Sequence, residues 1–205
     1  MFGFMKKEVQ VFKKLNCPKK IQDFLNKIPA NYEKDGDTVL SPRMVLKQNR
    51  AHCMEGAMFA AAALRFHGHQ PLVVDLTSNH KDDDHVIAVF KRHGHWGAIS
   101  KTNHATLRYR EPIYRNIREL TMSYFHEYFT NDDRKKTLRS YSLPVNLSRF
   151  DKNGWMTAAE DTDYIPEYLA KVPHQQILTR SQIAFLRKAD PIEKKAGSIL
   201  EWPRG

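Results

Sequence analysis

Cys53 and His85 are the residues whose types and positions favour chemistry. Cys53 follows a polar segment and begins an Ala-rich helical segment, residues 57–66, which ends at Gly68. A helix N-terminus and a neighbouring imidazole both lower the pKa of a thiol, and only the thiolate is a good nucleophile. His85 opens an apolar strand-like segment, where it is a candidate general base. The alternative is a buried cysteine that acts as a small hydrophobic residue.

A third polar residue is needed to orient the imidazole of His85 through its second ring nitrogen. Ser100 ends the strand that returns from His85 and is the positional candidate, with Asn103 as the alternative. Gln48 is a candidate donor to an oxyanion, beside the backbone N–H of Cys53. The sequence therefore predicts a catalytic set of Cys53, His85 and Ser100.

The turn between the two strands has two possible registers. A four-residue loop would span residues 91–94, and a two-residue loop would span residues 93–94. Either register places residues 100–103 beside His85, because the side chains of paired strands face one another. The sequence leaves the choice between the registers open.

The remaining segments predict an α+β domain in which the helix bearing Cys53 is central and packs on an antiparallel sheet. Its small, apolar side chains indicate close packing on nearly every side. We predict a single domain, residues 1–205, with a core at about 18–145 and a helical appendage at about 164–205. Further helices are expected at 18–28, 42–46, 114–129, 180–189 and 191–200, and strands at 72–77, 85–90, 95–100 and 137–142.

The net charge of +10 belongs mainly to the two ends of the sequence. Residues 1–20 contain six Lys and one Glu, and residues 171–205 contain seven Lys or Arg and three acids. Such ends could serve a basic adaptor for nucleic acid or an acidic partner, but nucleic acid is not favoured because no aromatic residues interleave the basic ones. Two cysteines are too few for a disulfide framework, and no signal peptide or membrane span is expected, which favours the cytoplasm.

The order of these features resembles the core of the transglutaminase-like superfamily. The matching residues are Cys53 at a helix start, Gly68 after the helix, His85 at a strand start, and the returning strand, residues 96–100. The resemblance covers about residues 40–105. It implies a papain-like fold with a Cys-His-Asp triad. Members include cross-linking acyltransferases, cysteine peptidases, peptide N-glycanases and proteins that have lost activity.

Ser100 stands where that superfamily has its aspartate, so the imidazole would be oriented by a neutral group. The resemblance implies a thiol enzyme that acts on amide bonds of a protein or peptide, by hydrolysis or acyl transfer, through a Cys53 thioester and without a cofactor. The alternatives are an inactive binding module of the same fold and the basic adaptor. Residues 82–84, three acids, are expected to point to solvent. With His80 and His85 their spacing matches no metal site.

Overall fold

Helices and one antiparallel sheet form an α+β fold in the computed structural model, which describes residues 2–33 and 36–202. The α-helices are α1 (Lys6–Lys14), α2 (Pro18–Lys27), α3 (Pro42–Gln48), α4 (Cys53–Phe66), α5 (Ile117–Met122), α6 (Tyr164–Lys171), α7 (Arg180–Ala184) and α8 (Pro191–Gly197). The strands are β1 (Leu72–Thr77), β2 (His85–Arg92), β3 (His95–Ile99), β4 (Arg110–Tyr114), β5 (Ser140–Ser142), β6 (Val145–Asn146) and β7 (His174–Gln176). Short 3₁₀ helices occupy Phe125–Glu127 and Leu147–Asn153.

Helix α4 lies at the centre of the fold, as its apolar sequence predicts. Every residue from 54 to 64 is buried. The helix packs against β1 and β2 on one side and against α1, α2 and α3 on the others. Alanine side chains allow these neighbours to approach closely, and a close-packed interior leaves little room for movement. The first turn of α4, which carries Cys53, is therefore held firmly in place.

The strands follow the order β4-β3-β2-β1-β5-β7, with β6 pairing with β1. Both faces of the sheet are covered, because alternate side chains of β1 and β2 enter two different apolar clusters. One cluster includes α4, and the other includes α5. The side chains facing α4 are Val73, Val86 and Ala88, and those on the opposite face are Val74, Ile87 and Val89.

The hairpin of β2 and β3 adopts the two-residue register. Arg92 pairs with His95, so the loop consists of His93 and Gly94 alone. Both loop residues have positive φ, 50° and 80°, as a type I′ turn requires. This turn type matches the twist of the strands, and Gly94 adopts it without steric cost. The hairpin positions the start of β2 beside the residues that follow β3.

The prediction of one long helix at 114–129 is wrong. Tyr114 ends strand β4, where it pairs with Trp96, and α5 begins only at Ile117. Asn116 caps α5 by accepting a hydrogen bond of 2.8 Å from the Glu119 N–H. The apolar residues whose spacing predicted one long helix belong instead to the short helix α5 and to the 3₁₀ helix Phe125–Glu127.

The predicted helical appendage, described as far as residue 202, contributes a strand to the sheet as well as helices. Strand β7 pairs with β5 at the sheet edge, and the predicted helices at 180–189 and 191–200 are shorter, as α7 and α8. The predicted strand at 137–142 is likewise confined to β5. Residues 199–202 hydrogen-bond to residues 103–105. Among the described residues, none of the helices has the length and apolar character needed to cross a membrane.

Candidate functional site

A cavity of about 360 Å³ opens where α4 begins, beside the start of β2 and the loop that follows β3. Its lining comes from six separate parts of the chain, so the fold must form before the cavity exists. The lining residues include Cys53, His52, His85, Lys101, Leu107 and Glu127.

Cys53 is the first residue of α4 and lies in the cavity wall. The first N–H groups of a helix have no partner within the helix, so the Cys53 N–H is available to an oxygen that develops negative charge. The thiol also lies at the positive end of the helix dipole. The start of α4 therefore provides both a nucleophile and a candidate oxyanion donor.

His85 and Ser100 are in direct contact, as the sequence predicts. The distance between His85 Nε2 and Ser100 Oγ is 2.8 Å, and both residues are buried. The Ser100 hydroxyl has a single proton, which it donates to the Leu107 carbonyl oxygen. Its oxygen must therefore accept the hydrogen bond from Nε2–H of His85. This tautomer leaves the lone pair of Nδ1 for the Cys53 thiol, with which the His85 ring interacts.

Gln22, on α2, fixes the backbone of Ser100. Its Oε1 accepts a 2.9 Å hydrogen bond from the Ser100 N–H, and its Nε2 donates a 2.8 Å hydrogen bond to the Ser100 carbonyl oxygen. Gln22 is itself buried. Two bonds from one amide define the position and rotation of the Ser100 peptide groups, so the hydroxyl has a defined place from which to reach His85.

The Cys53 thiol has an unusually low pKa. Burial acts in the opposite direction, since it disfavours the thiolate. Hydrogen bonds with His52 and His85, together with the positive charge of their rings, outweigh burial and lower the pKa of Cys53 to about 5. A large fraction of the thiol is then ionised near neutral pH, which is the state needed for nucleophilic attack.

His52 is a second imidazole at the thiol, immediately before Cys53. Burial lowers the pKa of His52, but its hydrogen bond with Cys53 and the negative charges of Cys53 and Glu55 outweigh burial and raise it to about 9. Its Nε2 lies 2.8 Å from the Thr38 carbonyl oxygen and 3.4 Å from Glu55 Oε1. The neutral ring also caps α4, because Nδ1 accepts the N–H of Met54 at 3.2 Å. Protonation of Nδ1 gives up that cap, so capping and charge compete.

Glu55 is a fully buried carboxylate beneath this first turn. It accepts hydrogen bonds from the backbone N–H groups of His52 and Leu40, at 2.8 and 3.0 Å, and from the side chains of Asn31 and Thr38. A buried charge is tolerated where it is fully hydrogen-bonded. Glu55 thereby ties the start of α4 to the segment before α3.

Two further predicted site residues, Asn103 and Gln48, make no contact with His85 or Cys53 among their hydrogen bonds. Asn103 lines the cavity, but its amide group bonds to Tyr32 and to the backbone of Trp202, so it does not orient His85. Gln48 is absent from the cavity lining, and its Oε1 accepts a 2.9 Å hydrogen bond from Arg50 Nε. The structure brings together Cys53, His85 and Ser100 and places Gln48 apart from them.

Four acids line the cavity: Asp82, Asp83, Asp84 and Glu127. Asp83 and Asp84 are exposed, as expected, whereas Asp82 is half-buried. Burial raises the pKa of Asp82, which accepts a hydrogen bond from the Thr137 hydroxyl. Within the described part of the chain, no group of three or more His, Cys, Asp and Glu side chains is arranged to hold a metal ion.

Lys101 also lines the cavity, but its ammonium group points away from the thiol. Nζ donates to the carbonyl oxygens of Leu25 and Ile28, at 2.8 and 2.6 Å, and thus completes the C-terminal end of α2. Burial lowers the pKa of Lys101 to about 8. Its side chain therefore ties the end of α2 to the segment that follows β3.

Sequence reasoning missed His52, Gln22 and Leu107. His52 could have been noticed because it adjoins the candidate nucleophile, although histidine is not a preferred N-cap. Gln22 and Leu107 carry no local signal, because their roles depend on contacts made only in the folded chain. Comparison with known proteins adds no further assignment: no protein-family model matches the sequence, and no curated protein matches it.

Proposed function

We propose that the chain is a thiol enzyme that acts on amide bonds through a Cys53 thioester. The observation that carries the proposal is the arrangement of Cys53, His85 and Ser100, with His85 held in the tautomer that accepts the thiol proton at Nδ1. The cavity above the thiol gives a substrate carbonyl access to that arrangement.

The reaction proceeds in two halves. In the first, Nδ1 of His85 takes the thiol proton and the Cys53 sulfur forms a bond to the amide carbon, while the N–H of Cys53 donates to the carbonyl oxygen. His85 then gives its proton to the amide nitrogen as the C–N bond breaks, which leaves a thioester and a free amine. In the second half, water or another amine loses a proton to His85, attacks the thioester carbon and releases the thiolate.

Several features support assignment of this site to a transglutaminase-like or papain-like core. The thiol begins the central helix, the imidazole begins a strand of an antiparallel sheet, and the orienting group follows the next strand. The departure is Ser100, which supplies a hydrogen bond without the charge of an aspartate. Both cysteines are free, which suits a reducing compartment such as the cytoplasm, where a nucleophilic thiol stays reduced.

The size of the cavity favours a compact substrate group. Its volume of about 360 Å³ lies near the lower end of the range for small-molecule sites, about 300–1,000 Å³. We therefore propose that the amide enters as a side chain or chain end of a protein or peptide. Hydrolysis and amine transfer use the same thioester, and access of an amine to the cavity decides between them.

Alkylation with iodoacetamide tests the proposal, because Cys17 provides a reference thiol in the same molecule. A thiol with a pKa of about 5 is mostly ionised at about pH 6, and after allowing for its weaker intrinsic nucleophilicity it should react about tenfold faster than an ordinary thiol. Mass spectrometry of the wild type and of Cys17→Ser and Cys53→Ser variants assigns the rates. Equal rates for Cys53 and Cys17, unchanged in His85→Ala, would refute the proposal.

A binding module that has lost activity is the second candidate, and the absence of a carboxylate at position 100 favours it. The two functions differ in turnover. Rapid alkylation of Cys53 together with formation of an acyl-enzyme from an activated ester or amide supports the enzyme. Rapid alkylation without any acyl-enzyme supports the binding module.

A further inference from the structure

We infer that Glu127 is a positioning residue that holds Leu107 in a strained conformation and thereby sets the tautomer of His85. The inference rests on the proposed function of Cys53, since the tautomer matters only if His85 accepts the thiol proton. It identifies a carboxylate that acts on the site through the backbone, in a chain that has Ser100 where a triad carboxylate would stand.

Leu107 has a left-handed backbone, with φ of 58°. This region is unfavourable for residues other than glycine, and such strain persists only where the surroundings enforce it. Here both backbone groups of Leu107 are used. Its carbonyl oxygen accepts the Ser100 hydroxyl proton, and its N–H donates to Glu127 Oε2 at 2.8 Å.

Glu127 is held from a different part of the fold. Its Oε2 also accepts a 2.7 Å hydrogen bond from Arg110 Nη2, and the two side chains form an ion pair. Arg110 in turn lies over the Tyr124 ring, with its guanidinium carbon 4.1 Å from the ring centroid, and donates to Ser123 Oγ at 3.0 Å. The carboxylate is therefore fixed by strand β4 and the region after α5, and it can hold the Leu107 peptide in place.

The direction of the Leu107 carbonyl decides which way the Ser100 hydroxyl points. With the carbonyl in place, the hydroxyl proton goes to Leu107 and the Ser100 oxygen accepts Nε2–H of His85. If Leu107 relaxed and turned its carbonyl away, the hydroxyl would be free to donate to Nε2. The neutral ring would then carry its proton on Nδ1, facing Cys53, and could not accept the thiol proton.

The experiment compares Glu127→Ala, Glu127→Gln and Glu127→Ala combined with Leu107→Gly, using the Cys53 alkylation rate at about pH 6. Loss of one such hydrogen bond corresponds to roughly a three- to tenfold fall in the Glu127→Ala rate. Glu127→Gln keeps an oxygen that accepts the Leu107 N–H and should retain most of the rate. Glycine adopts positive φ without strain, so Leu107→Gly should restore the rate in the Glu127→Ala background.

The sign of the effect separates positioning from simple electrostatics. Removing a negative charge from the cavity would by itself stabilise the thiolate and raise the rate, so an unchanged or faster Glu127→Ala variant overturns the inference. Failure of Leu107→Gly to restore the rate in a folded protein also overturns it. In a His85→Ala background, Glu127→Ala should no longer lower the rate, because the positioning effect acts through the His85 ring.

A direct readout keeps this inference distinct from the proposed function. Nitrogen chemical shifts of the His85 ring are measured in a Cys53→Ser background, which has no thiolate to hold a second proton on the ring, at a pH where the ring is neutral. They should show the Nε2–H form when Glu127 is present and a mixture of tautomers in Glu127→Ala. An unchanged tautomer in the variant overturns the inference even if Cys53 proves reactive. A shifted tautomer with an unreactive wild-type Cys53 would uphold the positioning and overturn the proposed function.

Discussion

Replacing Ser100 by Asn and by Asp should show that the protein accommodates a neutral orienting group better than the aspartate of transglutaminase-like enzymes. The Ser100 hydroxyl accepts from His85 and donates to the Leu107 carbonyl oxygen. An asparagine amide can do both, because it has an oxygen acceptor and an N–H donor. An ionised aspartate can only accept, so its carboxylate would face the Leu107 carbonyl without a proton between them.

The magnitude follows from comparing two side chains of equal size. Ser100 is 1% exposed, so either substitution costs about 1–3 kcal/mol in overpacking, which cancels between the variants. The ionised Asp loses a buried hydrogen bond, about 1–3 kcal/mol, and gains a charged one to the His85 imidazolium, about 1.5–3 kcal/mol. These two contributions nearly cancel, so the cost of burying the carboxylate, several kcal/mol, makes Ser100→Asp the less stable variant. We expect Ser100→Asp to be less stable than Ser100→Asn by about 2 kcal/mol at about pH 8.

The pH dependence provides the check. Burial raises the pKa of the new carboxyl group in the folded state, so the folded protein binds its proton more tightly than the unfolded chain. The free energy of unfolding of Ser100→Asp should therefore match that of Ser100→Asn near about pH 4, where the protonated acid donates to Leu107, and fall below it as the pH rises. Urea unfolding at both pH values measures the difference. Equal stability at about pH 8 would refute the role given to the Leu107 bond.

Two further predictions concern the first turns of α4. Because His52 lowers the pKa of Cys53, both His52→Ala and His52→Asn should move the midpoint of the alkylation rate upward from about pH 5. Above the His52 pKa of about 9, where the neutral ring accepts the Met54 N–H, only His52→Ala should also lower the free energy of unfolding, by about 1 kcal/mol, because asparagine can replace the cap. A midpoint that stays in place in both variants would contradict the role of His52. Gly56→Ala should lower the free energy of unfolding by about 1–3 kcal/mol, because a Cβ atom at Gly56 would lie 2.3 Å from Lys101 Cβ. Denaturant unfolding measures this loss. An unchanged free energy of unfolding would contradict the close packing of Gly56 against Lys101.

The parts of the fold that the sequence predicted are those with strong local patterns. Ser41 followed by Pro42 marked the start of α3, and the apolar run of β2 with the turn residues before β3 placed His85 near Ser100. The Ala-rich segment predicted the central helix, because no polar face remained for solvent. Cys53, His85 and Ser100 could be predicted as a set because each lies at the end of one of these strongly patterned elements.

The parts that could not be predicted depend on contacts between distant residues. Gln22 and Ser100 are separated by 78 positions, so no local pattern joins them. Leu107 is bulky and has no intrinsic preference for positive φ, and its hydrogen bonds to Glu127 and Ser100 exist only in the folded chain. Strand β7, with the sequence HQQ, lacks an apolar alternation and forms because β5 offers a free edge.

The burial of α4 also bears on how this protein can change over evolutionary time. Residues 54–64 are enclosed on all sides, so a larger side chain at any alanine there would displace a neighbour and cost about 1–3 kcal/mol. The loops that line the cavity at 82–84, 102–106 and 129–131 are half-buried or exposed and lie outside this constraint. Substitutions in those loops can alter which molecules are accepted while the thiol stays in place. The fold thus separates a part that tolerates little sequence drift from a part in which new specificities can be selected.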